Sequence, residues 1–226
     1  MEQVQLYLQT IKLNNDATCY LLNGDCSNAN SHFVAALKAS RQLQMSLTTV
    51  EDDDRAQCGK NTENDYCLDH LMEQASDCGN KLLPGNDQEY FIYQQPIRIP
   101  ISEADEKYLR EYGFPAHFQS RATTVSTAVI FNLALCHHLT ALTRNNMPML
   151  QKAAKLYELA SELRPHNDSC TIFLLATINN LGQIHQILKD ASKSEQCFRH
   201  LLMALMFLMD WKAQGNIHAQ ELAKDG

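Results

Sequence analysis

NNLGQIHQILKDASKSEQCFRHL, residues 179–201, carries a widely spaced pattern. Gly182 is followed by Ser194 twelve residues on, by Phe198 four later and by Leu201 three after that. Small residues at such positions let two helices approach closely, and the aromatic fills the gap beside them. The spacing recurs. Ala29, Phe33 and Ala36 repeat it, and Ala17 stands twelve residues before Ala29. Ala153, Tyr157 and Ala160 repeat it again, and Pro165 falls twelve after Ala153, where a helix pair should stop. Three copies predict an all-α chain of about three stacked helix-turn-helix pairs, because one pair cannot bury its apolar face alone. In the second copy the gap from Ala134 to Ala153 is nineteen residues, seven more than in the others. A longer inter-helix segment around residues 140–149 is expected to hold the surplus.

The remaining segments differ in character. Residues 46–89 hold eleven acids against Arg55, Lys60 and Lys81, a local balance of -8 that accounts for the chain's net charge of -7. Such a segment buries little and reads as a flexible acidic insertion, with one short helix near 66–75. Residues 90–101, YFIYQQPIRIPI, are aromatic and β-branched and read as a short extended or β element. Pro96 and Pro100 lack ladder donors, so such a strand would pair on one side or lie at an edge. A hairpin with 80–89 and a strap over the helices are both compatible with this. Ser102 is an N-cap candidate for a helix to Tyr112, with Asp105 in the capping-box place. The whole chain, 1–226, reads as a single domain, a length that favours one domain or one plus a large insertion.

The three copies resemble tetratricopeptide repeats, in which a helix pair carries a small residue in its first helix and Ala, an aromatic and Ala in its second, then Pro. The matching residues are Ala17-Tyr20 with Ala29/Phe33/Ala36, Leu133-Ala134 with Ala153/Tyr157/Ala160 and Pro165, and Leu181-Gly182 with Ser194/Phe198/Leu201. They cover roughly residues 4–42 and 123–210. The first copy has Arg41 where the closing Pro is usual, and the third has Leu201 where Ala is usual. The resemblance implies a TPR-like α-solenoid whose concave groove is lined by the first helix of each pair. It would place Asn15, Asn132 and Asn180 there at one equivalent position, with Phe131, His138 and Gln183 as further groove candidates. Asparagine amides can bind a peptide backbone without a charge requirement, or can satisfy local groups between helices. The neighbouring positions carry no cation, so a carboxylate would gain no charge-assisted bond there.

Other constellations give little. Cys58, Cys67, His70 and Cys78 offer soft ligands, but their spacing lacks the paired short loops of structural zinc sites, so no metal is expected. His137 and His138 point about 100° apart on a helix and cannot face one metal together. No GxSxG, HExxH, P-loop or GxGxxG motif occurs, and neither a cofactor nor enzymatic activity is expected. The negative charge argues against nucleic acid as a partner. The start, MEQVQLYLQT, lacks the features of a secretory signal, and an intracellular, cytoplasmic location is the expectation. The longest apolar candidate, LLMALMFLMDW at 201–211, is too short to span a bilayer. Helices apolar all round are normally buried, so this one is expected between neighbours, the 90–101 segment among them. Its Met residues equally suit an adaptable surface.

The functional expectation is a non-enzymatic scaffold binding an unknown protein or peptide on the concave surface. The alternative is an assembly protein that forms a homo-oligomer through 201–211.

Overall fold

A computed structural model describes residues 2–48, 68–76, 92–114, 118–163 and 171–222. Within them lie eight α-helices: α1 (Glu2–Leu22), α2 (Cys26–Thr48), α3 (Leu68–Ser76), α4 (Glu103–Tyr112), α5 (Phe118–Arg144), α6 (Met147–Leu163), α7 (Thr171–Ile187) and α8 (Ala191–Leu222). Three antiparallel hairpins, α1–α2, α5–α6 and α7–α8, form an all-helical bundle. α2 packs on α5 and α6 on α7, so the first hairpin joins the other two across the long interruption in sequence. Most of the acidic stretch 46–89, with Cys58, Cys67 and Cys78, lies outside the described residues, as does Pro165.

The three hairpin turns share one construction. Each first helix ends in a residue at positive φ: Gly24 at 77°, Asn145 at 48° and Lys189 at 61°. The following N–H reaches back five residues, from Asp25 to Tyr20, from Asn146 to Ala141 and from Asp190 to His185. The positive-φ residue itself bonds three residues back in each case, which completes a Schellman cap. Each cap is followed at once by an acceptor for the next helix. Asp25, Asn146 and Asp190 accept from the backbone N–H of Asn28, Met149 and Lys193.

This construction relocates the seven-residue surplus of the second hairpin. The turn at 145–146 is as short as the others, so the expected longer segment at 140–149 does not exist. The turn lies about four residues further from Ala134 than its counterpart lies from Gly182. It also lies about three further from Ala153 than its counterpart lies from Ser194. Seven residues are two α-helical turns, one added to each helix, so both keep the same face toward the core.

The packing seams follow the small-residue pattern. A Cβ on Gly182 would sit 2.9 Å from the ring of Phe198, so only glycine lets that ring lie across α7. Ser194 donates to the Gly182 carbonyl at 3.1 Å. Ala17, Ala29, Phe33, Ala36, Ala134, Ala153, Tyr157 and Ala160 are all fully buried.

α5 is the central helix, and among the described residues it is the one long and apolar enough to cross a membrane by length and composition. The apolar window is 89% buried within the protein. Its hydroxyls bond backward within the helix, as Ser126 to Ala122 and Thr140 to Cys136 show, and so add no unpaired polarity. Ser126 also meets Ser40 of α2 at 2.6 Å across the seam between the first two hairpins.

α4 begins as its sequence predicts. Ser102 accepts from the Asp105 N–H, and the Asp105 carboxylate accepts from the Ser102 N–H. The expected β element is corrected. Residues 92–102 are extended, but no strand or sheet exists among the described residues. Their backbone pairs with side chains instead.

α3 acts as a cap in trans. The Asp69 carboxylate accepts from the N–H groups of Ile172 and Phe173 at 3.0 and 2.9 Å, satisfying two of the orphan donors that start α7. Asp69→Ala should lower stability by about 1–2 kcal/mol, with Asp69→Asn losing less, as read by urea unfolding.

Candidate functional site

Residues 92–101 run as a strap over the first helices of the three hairpins, and three asparagines hold it. Asn180 of α7 accepts from the Tyr93 N–H at 2.8 Å and donates to the Tyr93 carbonyl at 3.1 Å. Asn132 of α5 does the same to Ile97 at 2.7 and 2.7 Å. Asn15 of α1 does the same to Ile99 at 2.9 and 2.8 Å. A carboxamide carries one acceptor and one donor side by side, so it pairs with a residue's backbone as a neighbouring strand would.

Residue parity explains the choice of partners. In an extended chain the N–H and C=O of one residue point to the same edge, and successive residues alternate. Positions 93, 97 and 99 share one edge. Pro96 and Pro100 belong to the other, where a missing N–H leaves nothing unpaired. The strap runs from α7 to α5 to α1, opposite to the order of the hairpins in sequence.

The ladder is cross-braced. Asn132 donates its second hydrogen to Asn14 Oδ1 at 2.9 Å, and Asn14 donates to the Ile97 carbonyl at 3.0 Å. Asn180 donates also to the Tyr157 hydroxyl at 3.0 Å. Asn14, Asn132, Asn180 and Tyr157 are fully buried, so these bonds have no competition from water. The strap's apolar side chains join the core. Ile97 and Ile99 are fully buried, and Ile92 packs in the cluster of Leu133, Leu139 and Phe33. A cavity of about 510 Å³ lies beside the strap, lined by Asn15, Leu22, Leu71, Pro96, Arg98 and Ile101 among others.

The remaining groove candidates take no part in the ladder's hydrogen bonds. Phe131 is fully buried among rings, 5.4 Å from both Tyr157 and Phe173 and 6.2 Å from Tyr93. Gln183 is half-buried on α7 and has no part in the ladder. His138 lies in the core against the edge of Tyr157, at 6.1 Å. Neither of its ring nitrogens has a hydrogen-bond partner. His137, its neighbour, bridges to Asn30 of α2 at 2.8 Å. Sequence reasoning did not assign Asn14 and Tyr157 their bracing roles. Spacing marked Tyr157 only as the aromatic of its hairpin, and Asn14 reaches the Ile97 carbonyl and Asn132 across 83 and 118 residues of sequence, beyond any local pattern.

Burial keeps the core's titratable groups neutral. It lowers His138 to about 3 and raises Cys136 to about 12. Tyr157 is also raised by burial, against the hydrogen bond from Asn180. His137 and His185 are lowered by burial, with Lys152 and Lys193 acting in the same direction. Such values suit core packing and oppose proton transfer or thiolate chemistry near neutrality.

Comparison with protein-family models, with curated proteins and with solved structures finds no match to the chain.

Two outcomes test the site. Asn132→Ala leaves the buried Ile97 N–H and Asn14 Oδ1 unpaired, while the Ile97 carbonyl keeps only its bond from Asn14, and should cost about 2–4 kcal/mol in urea unfolding. Asn132→Asp should cost more, because a carboxylate would place an oxygen against the Ile97 carbonyl and Asn14 Oδ1. For His138 the folded-state value is depressed, so its contribution to stability is complete above the unfolded value near 6.5. It declines as pH falls from there toward about 3. His138→Phe should flatten the stability-versus-pH curve over that window, by at most about 1.4 kcal/mol per pH unit.

Proposed function

We propose that the protein is a non-enzymatic interaction scaffold of TPR-like α-solenoid type, whose groove binds an extended peptide and is filled in cis by residues 92–101. One observation carries the reading: equivalent asparagines from three successive hairpins each pair both backbone groups of one residue in the extended segment. Backbone pairing gives affinity without dictating side chains, and pockets between the pairs select apolar residues. The preferred ligand is therefore an extended peptide with β-branched residues two apart, as in Ile97 and Ile99, and no required charge.

Occupancy in cis sets the condition for binding in trans. Burying Ile92, Ile97 and Ile99 contributes on the order of 6 kcal/mol, and the covalent link adds an effective concentration in the millimolar range. A free peptide competes only when the strap is weakened.

The test uses a fluorescent peptide of sequence YFIYQQPIRIPI, the strap's own. The wild-type protein should bind it negligibly. A variant carrying Ile97→Ser and Ile99→Ser, shown by circular dichroism to remain helical, should bind it saturably. Adding Asn180→Ala should weaken that binding by about tenfold, the equivalent of one lost charge-neutral hydrogen-bond pair. A folded double-Ser variant that ignores the peptide would reduce the ladder to a structural clamp.

A further inference from the structure

Among the described residues, the outer face of α8 gathers six of the exposed large apolar side chains in one place. From Leu201 to Met209 the sequence holds no charged or polar side chain. Leu201, Ala204 and Leu208 form the half-buried seam toward α7. Leu202, Met203, Leu205, Met206, Phe207 and Met209 are turned outward, each between 42% and 71% exposed. The expectation that this helix is sandwiched is therefore corrected. The strap that was to help cover it is committed to the asparagine ladder.

The exposed area is large. At about 200 Å² for one fully exposed large residue, the six side chains present on the order of 700 Å². That exceeds the ~300–600 Å² of the largest apolar patch on an ordinary monomer. It approaches the ~800 Å² that each partner contributes to a standard stable interface.

We propose that this face is an isologous interface through which two copies of the chain form a dimer. Three features select a second copy as the occupant. The area matches what one side of a dimer needs. The face is uniform and uncharged from Leu201 to Met209, so two-fold apposition of that stretch brings no like charges together. The six side chains also sweep an arc of about 200° at 100° per residue, more than one partner helix can cover. A partner's α7–α8 hairpin can cover it, giving a four-helix contact of α7, α8 and their mates. Met203, Met206 and Met209, with three rotatable bonds each, let the two identical surfaces mesh.

The test is sedimentation velocity on the full chain over a concentration series up to about 100 µM, ample for an interface of standard size. The wild-type protein should shift to a discrete dimer. Met206→Glu and Met206→Lys should each remain helical and melt at an unchanged temperature, yet weaken the dimer at least ~30-fold. Mixing the two variants should restore a dimer, because only an isologous face brings opposite charges at the same position together. A wild-type chain that stays monomeric throughout, a heterogeneous aggregate in place of a dimer, or a dimer that survives in Met206→Glu would each overturn the proposal. Should either Met206 variant unfold, Phe207→Glu and Phe207→Lys make the same comparison from the neighbouring, 70% exposed position.

Discussion

An extended segment buried among helices must find partners for its backbone N–H and C=O groups, because each unpaired group in that setting costs about 1–3 kcal/mol. Among the described residues, the strap at 92–101 has no neighbouring strand to supply them. Asparagine side chains do so, one from each hairpin, and every one of them matches a residue on the same edge of the strap. The pairing ties α7, α5 and α1 to a single segment, so the register between hairpins and strap is common to all three. The link from Asn132 through Asn14 to Asn15 makes the α5 and α1 rungs one network. A network fully satisfied in a dry interior is stiff, and one missing member exposes the others.

The hairpins supply the rungs at matching places because their turns are alike. A Schellman cap followed immediately by an Asp or Asn acceptor recurs at residues 24–25, 145–146 and 189–190. Longer helices in the middle hairpin leave this arrangement intact, since one extra turn on each helix restores the same face. Lys189 shows how strongly the turn is required, for a lysine there accepts a left-handed backbone at an expense of roughly 1 kcal/mol. The apolarity of α5 has the same origin. As the central helix, it meets α2, α6 and the strap, and its hydroxyls turn back onto its own carbonyls.

Two surfaces thus carry opposite meanings. The face of α7, α5 and α1 that carries the asparagines is covered by the strap and contributes to the core. Among the described residues, nothing covers the outer face of α8. Its exposed leucines, methionines and phenylalanine lie where a stack of hairpins would ordinarily end in polar residues. The buried histidines, the Cys136 thiol and the Tyr157 phenol are all driven toward their neutral forms, which fits a protein built from packing and pairing.

Much of this architecture was legible from residue spacing alone. The recurrence of a small residue, then a small residue and an aromatic, encodes close-packed hairpins, because only small side chains permit that approach. Asn15, Asn132 and Asn180 stood at one equivalent position, and Ser102 with Asp105 marked the start of α4 through purely local chemistry. Spacing could not say what the asparagines hold, since their partner lies 35 to 87 residues away in sequence. Nor could it distinguish a strand from a strap. Both demand an extended backbone with prolines on one edge, and only the helices brought alongside determine whether a sheet or a row of amides completes the hydrogen bonds. The exposure of α8 was likewise a tertiary outcome: the same apolar sequence is core where a neighbour covers it and surface where none does.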